Sequence, residues 1–330
     1  MLEHGGKLCA AAAQWGIPAE DWLDLSTGIA PEAYPVPAVD TESWRRLPED
    51  DDGLEEAARS CYGAPHLLAL PGSQAAIMAL PRLRPTGATV AIPIPTYGEY
   101  EAAWLAAGHA VLRFMPAELE TVAASCDVVM LGNPNNPTGE RFSRERLLRA
   151  AAILHERVGK LIVDEAFADG DGDESLAPLA GSAAAPNLVV LRSLGKFFGL
   201  AGARVGFAIA APALLARLAE LIGPWPIAHP ARDAARAALA DKGWQAAQRE
   251  QLTAASQRLA RLLRETGLGE TPGTALFRYV RTEQAPDIHA GLARRGILVR
   301  LFMEPLALRF GLPGNEAEWQ RLDAALKETA

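Results

Sequence analysis

The stretch Ser193-Leu-Gly-Lys196-Phe-Phe-Gly-Leu-Ala-Gly-Ala-Arg204-Val-Gly206 sets a hydroxyl, an amine and a guanidinium at fixed offsets in a glycine-rich turn. Those three groups match the needs of an aldehyde cofactor that also carries a phosphate. The aldehyde requires an amine to bond to, and the phosphate requires hydroxyl donors and a permanently charged fork, which arginine supplies bidentately. Lys196, Ser193 and Arg204 fit these roles, so the segment reads as an anchor for pyridoxal phosphate. The bland alternative is a surface lysine and arginine in a flexible glycine loop, and two upstream segments weigh against it.

The first is Val128-Val-Met-Leu-Gly-Asn133-Pro-Asn-Asn136-Pro-Thr-Gly139, an apolar run ending in a polar turn. It predicts a buried strand that delivers side chains to a sheet edge, where Asn136 donates to a ring oxygen. The second is Lys160-Leu-Ile-Val-Asp164-Glu-Ala-Phe167, a short buried strand with an acid at its carboxyl end. Ligands of open α/β sheets sit at such ends, and Asp164 is placed to pair with a pyridinium nitrogen and keep it protonated. Asn, Asp, Lys and Arg follow one another, each near a strand end.

On these residues the chain resembles the fold-type I pyridoxal phosphate enzymes, the aspartate aminotransferase superfamily, over nearly its whole length. The resemblance implies an α/β fold of the PLP-dependent transferase-like type, with a mainly parallel helix-covered sheet and a smaller α+β C-terminal domain. It makes Lys196 the lysine that bonds to the cofactor, Asp164 the ring-nitrogen partner, Asn136 the donor to the ring oxygen, and Ser193 and Arg204 phosphate ligands. Tyr97, in Pro95-Thr-Tyr-Gly-Glu-Tyr100, resembles the aromatic that stacks on the cofactor ring, and Ser73 and Gln74 open a helical stretch whose backbone amides would cradle the phosphate. Two departures stand out. Phe167 replaces the tyrosine that many relatives use as a second donor to the ring oxygen. Arg46-Leu47-Pro48-Glu49 replaces the Arg-Tyr-Pro-Asp pattern whose tyrosine reaches the neighbouring subunit. The family usually builds its site at a homodimer interface, and Leu47 weakens any residue-level expectation of that contact.

Composition agrees with a large enzyme. The 330 residues exceed one typical domain, and 49% are hydrophobic, enough for a substantial core. With a net charge of −8 and no basic run interleaved with aromatics, a nucleic-acid or anionic-membrane partner is not expected. Cys9, Cys61 and Cys126 are scattered and lack C-x-x-C spacing, which suggests neither disulfides nor zinc, hence no metal, and fits the cytoplasm. No signal-like segment opens the chain, and no stretch offers the roughly 18 uninterrupted apolar residues of a membrane span. The acidic run 169–174 lacks the glycine and glutamate of a calcium loop and reads as a solvated loop; 49–52 reads as an exposed turn before a helix starting near Leu54.

Short apolar runs predict strands near 67–70, 89–94, 110–114, 127–131, 160–164, 187–192 and 204–209, mostly separated by helices, hence a mainly parallel sheet covered on both faces. Ser143 predicts a helix cap, and Leu252, Leu259, Leu262 and Leu263 predict one helical packing face. The expected organisation is an N-terminal arm over residues 1–45, a large cofactor domain over 46–226 and a small domain over 227–330.

For the substrate, His4-Gly5-Gly6 and Asp24-Leu-Ser-Thr-Gly28-Ile-Ala-Pro31 resemble the arm of the threonine-phosphate decarboxylases of cobalamin biosynthesis, with Ala30 in place of an asparagine. Phe167 and Leu308-Arg309-Phe-Gly-Leu-Pro313 strengthen the resemblance over the related histidinol-phosphate aminotransferases. A phosphorylated amino acid has two anions to grip. Arg300, read as the end of the strand 296–300, and Arg309, in the next strand, are the candidates. By resemblance Arg309 takes the carboxylate and Arg300 the phosphate, with His4, Gly5, Gly28 and Asn136 completing the substrate site. The expected activity is decarboxylation of O-phospho-L-threonine to (R)-1-aminopropan-2-yl phosphate; the alternative is a histidinol-phosphate or other class I/II aminotransferase. A non-enzymatic sensing module is disfavoured by the presence of Lys196.

Overall fold

A computed structural model describes residues 4–171 and 174–329. In chain order the strands are β1 (Leu23–Asp24), β2 (Leu67–Leu70), β3 (Thr89–Pro93), β4 (Ala110–Phe114), β5 (Val128–Gly132), β6 (Lys160–Asp164), β7 (Leu188–Ser193), β8 (Gly206–Ile209), β9 (Gly273–Thr274), β10 (Phe277–Arg281), β11 (Ile297–Leu298), β12 (Arg300–Met303) and β13 (Leu306–Gly311). The helices are α1 (Leu8–Trp15), α2 (Leu54–Tyr62), α3 (Ser73–Ala79), α4 (Gly98–Ala106), α5 (Leu119–Ala123), α6 (Arg144–Glu156), α7 (Pro212–Ile222), α8 (His229–Ala240), α9 (Lys242–Glu265), α10 (Ala285–Ala293) and α11 (Glu316–Thr329).

Seven strands form one sheet in the order β2-β8-β7-β6-β5-β3-β4. The pairs from β7 through β4 are parallel; β8 runs antiparallel to both β7 and β2. The two-residue period of a strand splits its side chains between two cores. Val129, Leu131, Leu161 and Val163 face the helices α2, α5, α6, α8 and α9, while Val128, Met130 and Ile162 face α3, α4 and α7. With both faces covered, the central strands are apolar throughout, and every residue of β5 and β7 is buried. Register then aligns the carboxyl ends: Gly132 opposes Asp164, and Asp164 opposes Leu191, two residues before Ser193. That edge carries the site.

The C-terminal part supplies a second, four-stranded antiparallel sheet, β12-β13-β10-β9. The N-terminal arm joins it through the parallel pair β1–β11, with Leu25 N–H donating to Leu298 O (2.8 Å) and Gly311 N–H donating to Leu25 O (2.7 Å). Ser143 caps α6 by accepting from Arg146 N–H, and Leu252, Leu259 and Leu263 of α9 are buried, with Leu262 half-buried beside them. Among the described residues no helix is long and apolar enough to cross a membrane.

Three local expectations change. Arg300 does not end the strand that begins after Gly296: pairing with the arm stops at Leu298, and Arg300 begins β12, directly across from Arg309 of β13. The acidic run after Phe167 is not uniformly solvated. Asp169 is buried and, with Glu165 (2.7 Å), brackets the buried Arg192, whose guanidinium also lies over the Tyr62 ring. A lone buried charge is too costly to persist, so the three groups travel together; Gly172 and Asp173 of that run lie outside the described residues. In the turn before α2, Asp52 is largely covered: it caps Leu54 N–H and pairs with the buried Arg232, which also binds Glu55. Arg192→Ala is expected to lower stability by about 3–5 kcal/mol, because it leaves Glu165 and Asp169 buried without a cation. A denaturant midpoint at the wild-type value would contradict this.

Candidate active site

Two adjoining cavities open along the carboxyl edge of the large sheet. The inner one, about 160 Å3, is walled by Ser73, Gln74, Tyr97, Tyr100, Asn136, Asp164, Phe167, Ser193, Lys196 and Arg204. The outer one, about 420 Å3, shares Tyr97, Asn136 and Lys196 with it and adds His4, Gly5, Thr27, Arg300 and Arg309. Each cofactor- or substrate-site candidate from the sequence therefore lines one of these cavities except Gly28. Gly28 sits behind the wall, at a φ of 62°, where an added Cβ would meet the rings of Phe277 at 3.3 Å and Phe167 at 3.4 Å. Its place is structural: it lets the arm pass close over Phe167.

The inner cavity is a cradle for a small phosphorylated ring. Gly72, at a φ of 78°, leads into α3, and a Cβ there would stand 2.7 Å from Arg204 Nη2. A Cβ on Gly206 would stand 2.5 Å from the Ser73 backbone nitrogen. Bare backbone thus brings the start of α3, Ser193 and Arg204 together. Arg204 itself adopts the left-handed conformation, φ 52°, with Nη1 donating to Ala201 O, and Ser193 Oγ accepts from Gly195 N–H. Free helix-start amides, a hydroxyl and an arginine fork form a fitting phosphate site.

Across the cavity, the Asp164 carboxylate accepts from Tyr100 Oη (2.9 Å) and from Ala166 N–H (3.0 Å). Burial pushes its pKa up, and those two donors oppose the shift. Tyr100 was not singled out from the sequence. It lies three residues after Tyr97 on α4, a spacing that places both rings on one helical face, and they meet edge to face at 5.4 Å. Lys196 is half-buried, with Nζ 3.5 Å from Thr27 O and 5.3 Å from the centre of the Phe167 ring. Burial, with the Arg309 cation next, pulls the lysine down to about 8 against the pull of Asp164. At neutral pH a larger share of this amine is then neutral than of an ordinary lysine.

Asn136 and Arg309 join the two cavities. Arg309 Nη1 donates to Asn136 Oδ1 and Nη2 donates to Ser26 O (2.5 Å). Since a guanidinium only donates, the amide oxygen of Asn136 must face it, which leaves the amide NH2 for the inner cavity. Arg309 is buried, its Nε has no partner, and burial beside Arg300 lowers it to about 10. An unpaired buried donor of this kind suits an anionic ligand. Ser26, which orients it, is buried and bonded to Asp24 through both its N–H and its hydroxyl (2.9 and 2.6 Å).

A helix-covered sheet presenting lysine, aspartate, asparagine and arginine at one edge defines a class, and the sequence comparison agrees: the chain belongs to the aminotransferase class I and II family, whose profile matches residues 38–326. Within it, the chain is 52% identical over 326 residues to the threonine-phosphate decarboxylase of Pseudomonas aeruginosa, covering 99% of this chain and 97% of that one. It is 40% identical over 330 residues to the threonine-phosphate decarboxylase of a Sinorhizobium species, covering 98% and 97%. The solved histidinol-phosphate aminotransferase of Sinorhizobium meliloti, in complex with pyridoxal-5′-phosphate, shares the fold at a TM-score of 0.85 and 22% identity, covering 100% and 98% of the two chains.

Arg309→Gln is expected to lower kcat/KM for a carboxylate substrate about 30-fold or more, the cost of removing one partner of a buried charge pair. It should also move the lysine in a definite direction. Arg309 disfavours the Lys196 ammonium, so its removal raises the lysine above about 8. Cofactor attachment, followed by absorbance against pH, should then need a more alkaline medium. An unchanged profile would mean that the two cations do not interact.

Proposed function

We propose that this protein is a pyridoxal phosphate-dependent decarboxylase that converts O-phospho-L-threonine to (R)-1-aminopropan-2-yl phosphate for cobalamin biosynthesis. The observation that carries this reading is the outer cavity: Arg300 and Arg309 stand opposite each other on β12 and β13 with Lys196 in the same wall, two forks for a substrate with two anions. The 52% identity to a threonine-phosphate decarboxylase supports the same substrate. The shared fold alone does not separate decarboxylases from aminotransferases.

When bound, pyridoxal phosphate supplies an aldehyde that links to amines and a ring that takes up the electron pair released when a bond to Cα breaks. The protein decides which bond that is. Arg309, held by Ser26 O and Asn136 Oδ1, grips the carboxylate, and Arg300 with His4 grips the phosphate. Held at both ends, the substrate keeps its Cα–carboxylate bond in the breaking orientation; that bond cleaves and CO2 departs. Asp164, fixed by Tyr100 and Ala166 N–H, is the residue that would hold the ring nitrogen. Lys196 Nζ, with a pKa of about 8, is suited to return a proton to Cα near neutral pH. Phe167 places a hydrocarbon edge where a tyrosine would add a donor, leaving Asn136 as the side chain that serves the ring oxygen.

We further propose a cytoplasmic homodimer, and an arm over 1–45, a large domain over 46–226 and a small domain over 227–330. The deciding experiment incubates the holoenzyme with O-phospho-L-threonine and no keto acid. Release of CO2 is expected. Conversion of the cofactor to its pyridoxamine form without CO2, reversed by a keto acid, would make the protein an aminotransferase.

A further inference from the structure

A chain of side chains runs from the N-terminal arm to the rear of the cofactor cavity. His4 Nε2 meets Glu99 Oε1 at 2.7 Å, Gln74 Nε2 donates to Glu99 Oε2 at 3.1 Å, and Tyr97 Oη donates to Gln74 Oε1 at 3.2 Å. The His4 and Tyr97 rings also approach each other, centroids 6.0 Å apart. Glu99 lies in the first turn of α4, where the helix dipole favours a negative charge, and its side chain is 18% exposed.

We propose that Glu99 is a positioning residue that fastens the N-terminal arm to the cofactor pocket, holding His4 at the substrate cavity with one carboxylate oxygen and ordering Gln74 and Tyr97 with the other. The inference rests on the proposed phosphate-binding role of His4. The direction of every hydrogen bond follows from the charge. A carboxylate only accepts, so both neighbours must donate to it. Gln74 spends its NH2 group on Glu99, so its oxygen turns to Tyr97. Tyr97 Oη therefore spends its proton on Gln74 and keeps its oxygen lone pairs as acceptors. His4 must then present an N–H at Nε2 to Glu99 Oε1, which fixes the ring at the rim of the substrate cavity. One residue thus couples three jobs: closing the arm, orienting the histidine and holding the aromatic at the cofactor cavity. The coupling runs both ways, because a substrate phosphate that fixes His4 also steadies Glu99, and with it Gln74 and Tyr97.

Two readouts test this without relying on turnover. The first is limited trypsin digestion of the holoenzyme at the exposed Lys7, with loss of residues 1–7 followed by mass. Glu99→Ala and His4→Ala should each speed that cleavage about tenfold, and the double variant should be no faster than either, because one contact is lost in all three. The second is cofactor affinity and absorbance: Glu99→Ala should weaken binding and shift the spectrum, since Gln74 and Tyr97 lose their anchor, whereas His4→Ala should do so less. With O-phospho-L-threonine, KM should rise in both variants and kcat should change little. Glu99→Gln keeps one acceptor oxygen and should fall between wild type and alanine; it decides the question if the alanine variant does not fold. Cleavage at the wild-type rate in both Glu99 variants, or additive effects of His4→Ala and Glu99→Ala, would overturn the proposal. A wild-type enzyme that releases no CO2 but shows the coupled cleavage pattern would instead overturn the functional reading and leave the tether standing.

Discussion

Replacing Lys196 with alanine is expected to cut CO2 release from O-phospho-L-threonine by about 10^4-fold or more. The amine is asked to do two things, bond to the cofactor aldehyde and carry the proton to Cα, and proton transfer by a positioned side chain alone contributes about 10²- to 10⁴-fold. Among the described residues no second amine lines either cavity: the other basic side chains there are His4, Arg204, Arg300 and Arg309, none of which attaches to an aldehyde at neutral pH. The variant should still bind pyridoxal phosphate, because the start of α3, Ser193 and Arg204 are untouched. Borohydride should therefore fix the cofactor covalently to the wild type but not to the variant. Retained activity, or covalent fixation at another residue, would remove Lys196 from its assigned role.

Asp164→Asn is expected to lower kcat about 10²-fold or more, since truncating one side of a buried charge pair costs about 2–5 kcal/mol. The asparagine keeps the shape and its amide oxygen can still accept from Tyr100, but its NH2 then faces Ala166 N–H, so stability should fall by about 1–3 kcal/mol alongside the loss in turnover. It also tests the electrostatics of the lysine. Asp164 favours the Lys196 ammonium, so its neutralisation should lower the lysine below about 8. In the wild type, attachment of added pyridoxal phosphate to the cofactor-free protein should accelerate as the pH rises through about 8, where the amine loses its proton. In Asp164→Asn that rise should come at lower pH, the opposite of the shift expected for Arg309→Gln. Shifts of the same sign in the two variants would show that something other than charge controls the amine.

Much of the site was legible in the chain because it is written in short local segments. Lys196, Ser193 and Arg204 share one turn; Asp164 ends one apolar run and Asn136 follows another; the apolar runs became β5, β6 and β7 within a residue or so of their expected limits. Residues whose importance comes from distant partners were not legible. Tyr100 reads as a core aromatic until β6 brings Asp164 under its hydroxyl, 64 positions away. Glu99 reads as an ordinary acid at a helix start until the arm brings His4 to it. Asp169 and Asp52 read as solvated acids, because nothing near them in sequence announces Arg192 and Arg232.

The sequence by itself determined the strand and helix pattern, the cofactor chemistry and the family, because hydrophobic period and motif spacing act over a few residues and survive in any arrangement of the whole. Tertiary structure alone decided the pairing of those pieces. It set Arg300 across from Arg309 by ending the β1–β11 ladder at Leu298 and starting a new one. It turned the amide of Asn136 by laying a guanidinium against it, and it lowered Lys196 by desolvating it beside Arg309 and Arg204, against the opposing pull of Asp164. Burial, hydrogen-bond direction and pKa depend on what lies within a few ångströms, and those neighbours come from up to 283 positions away along the chain.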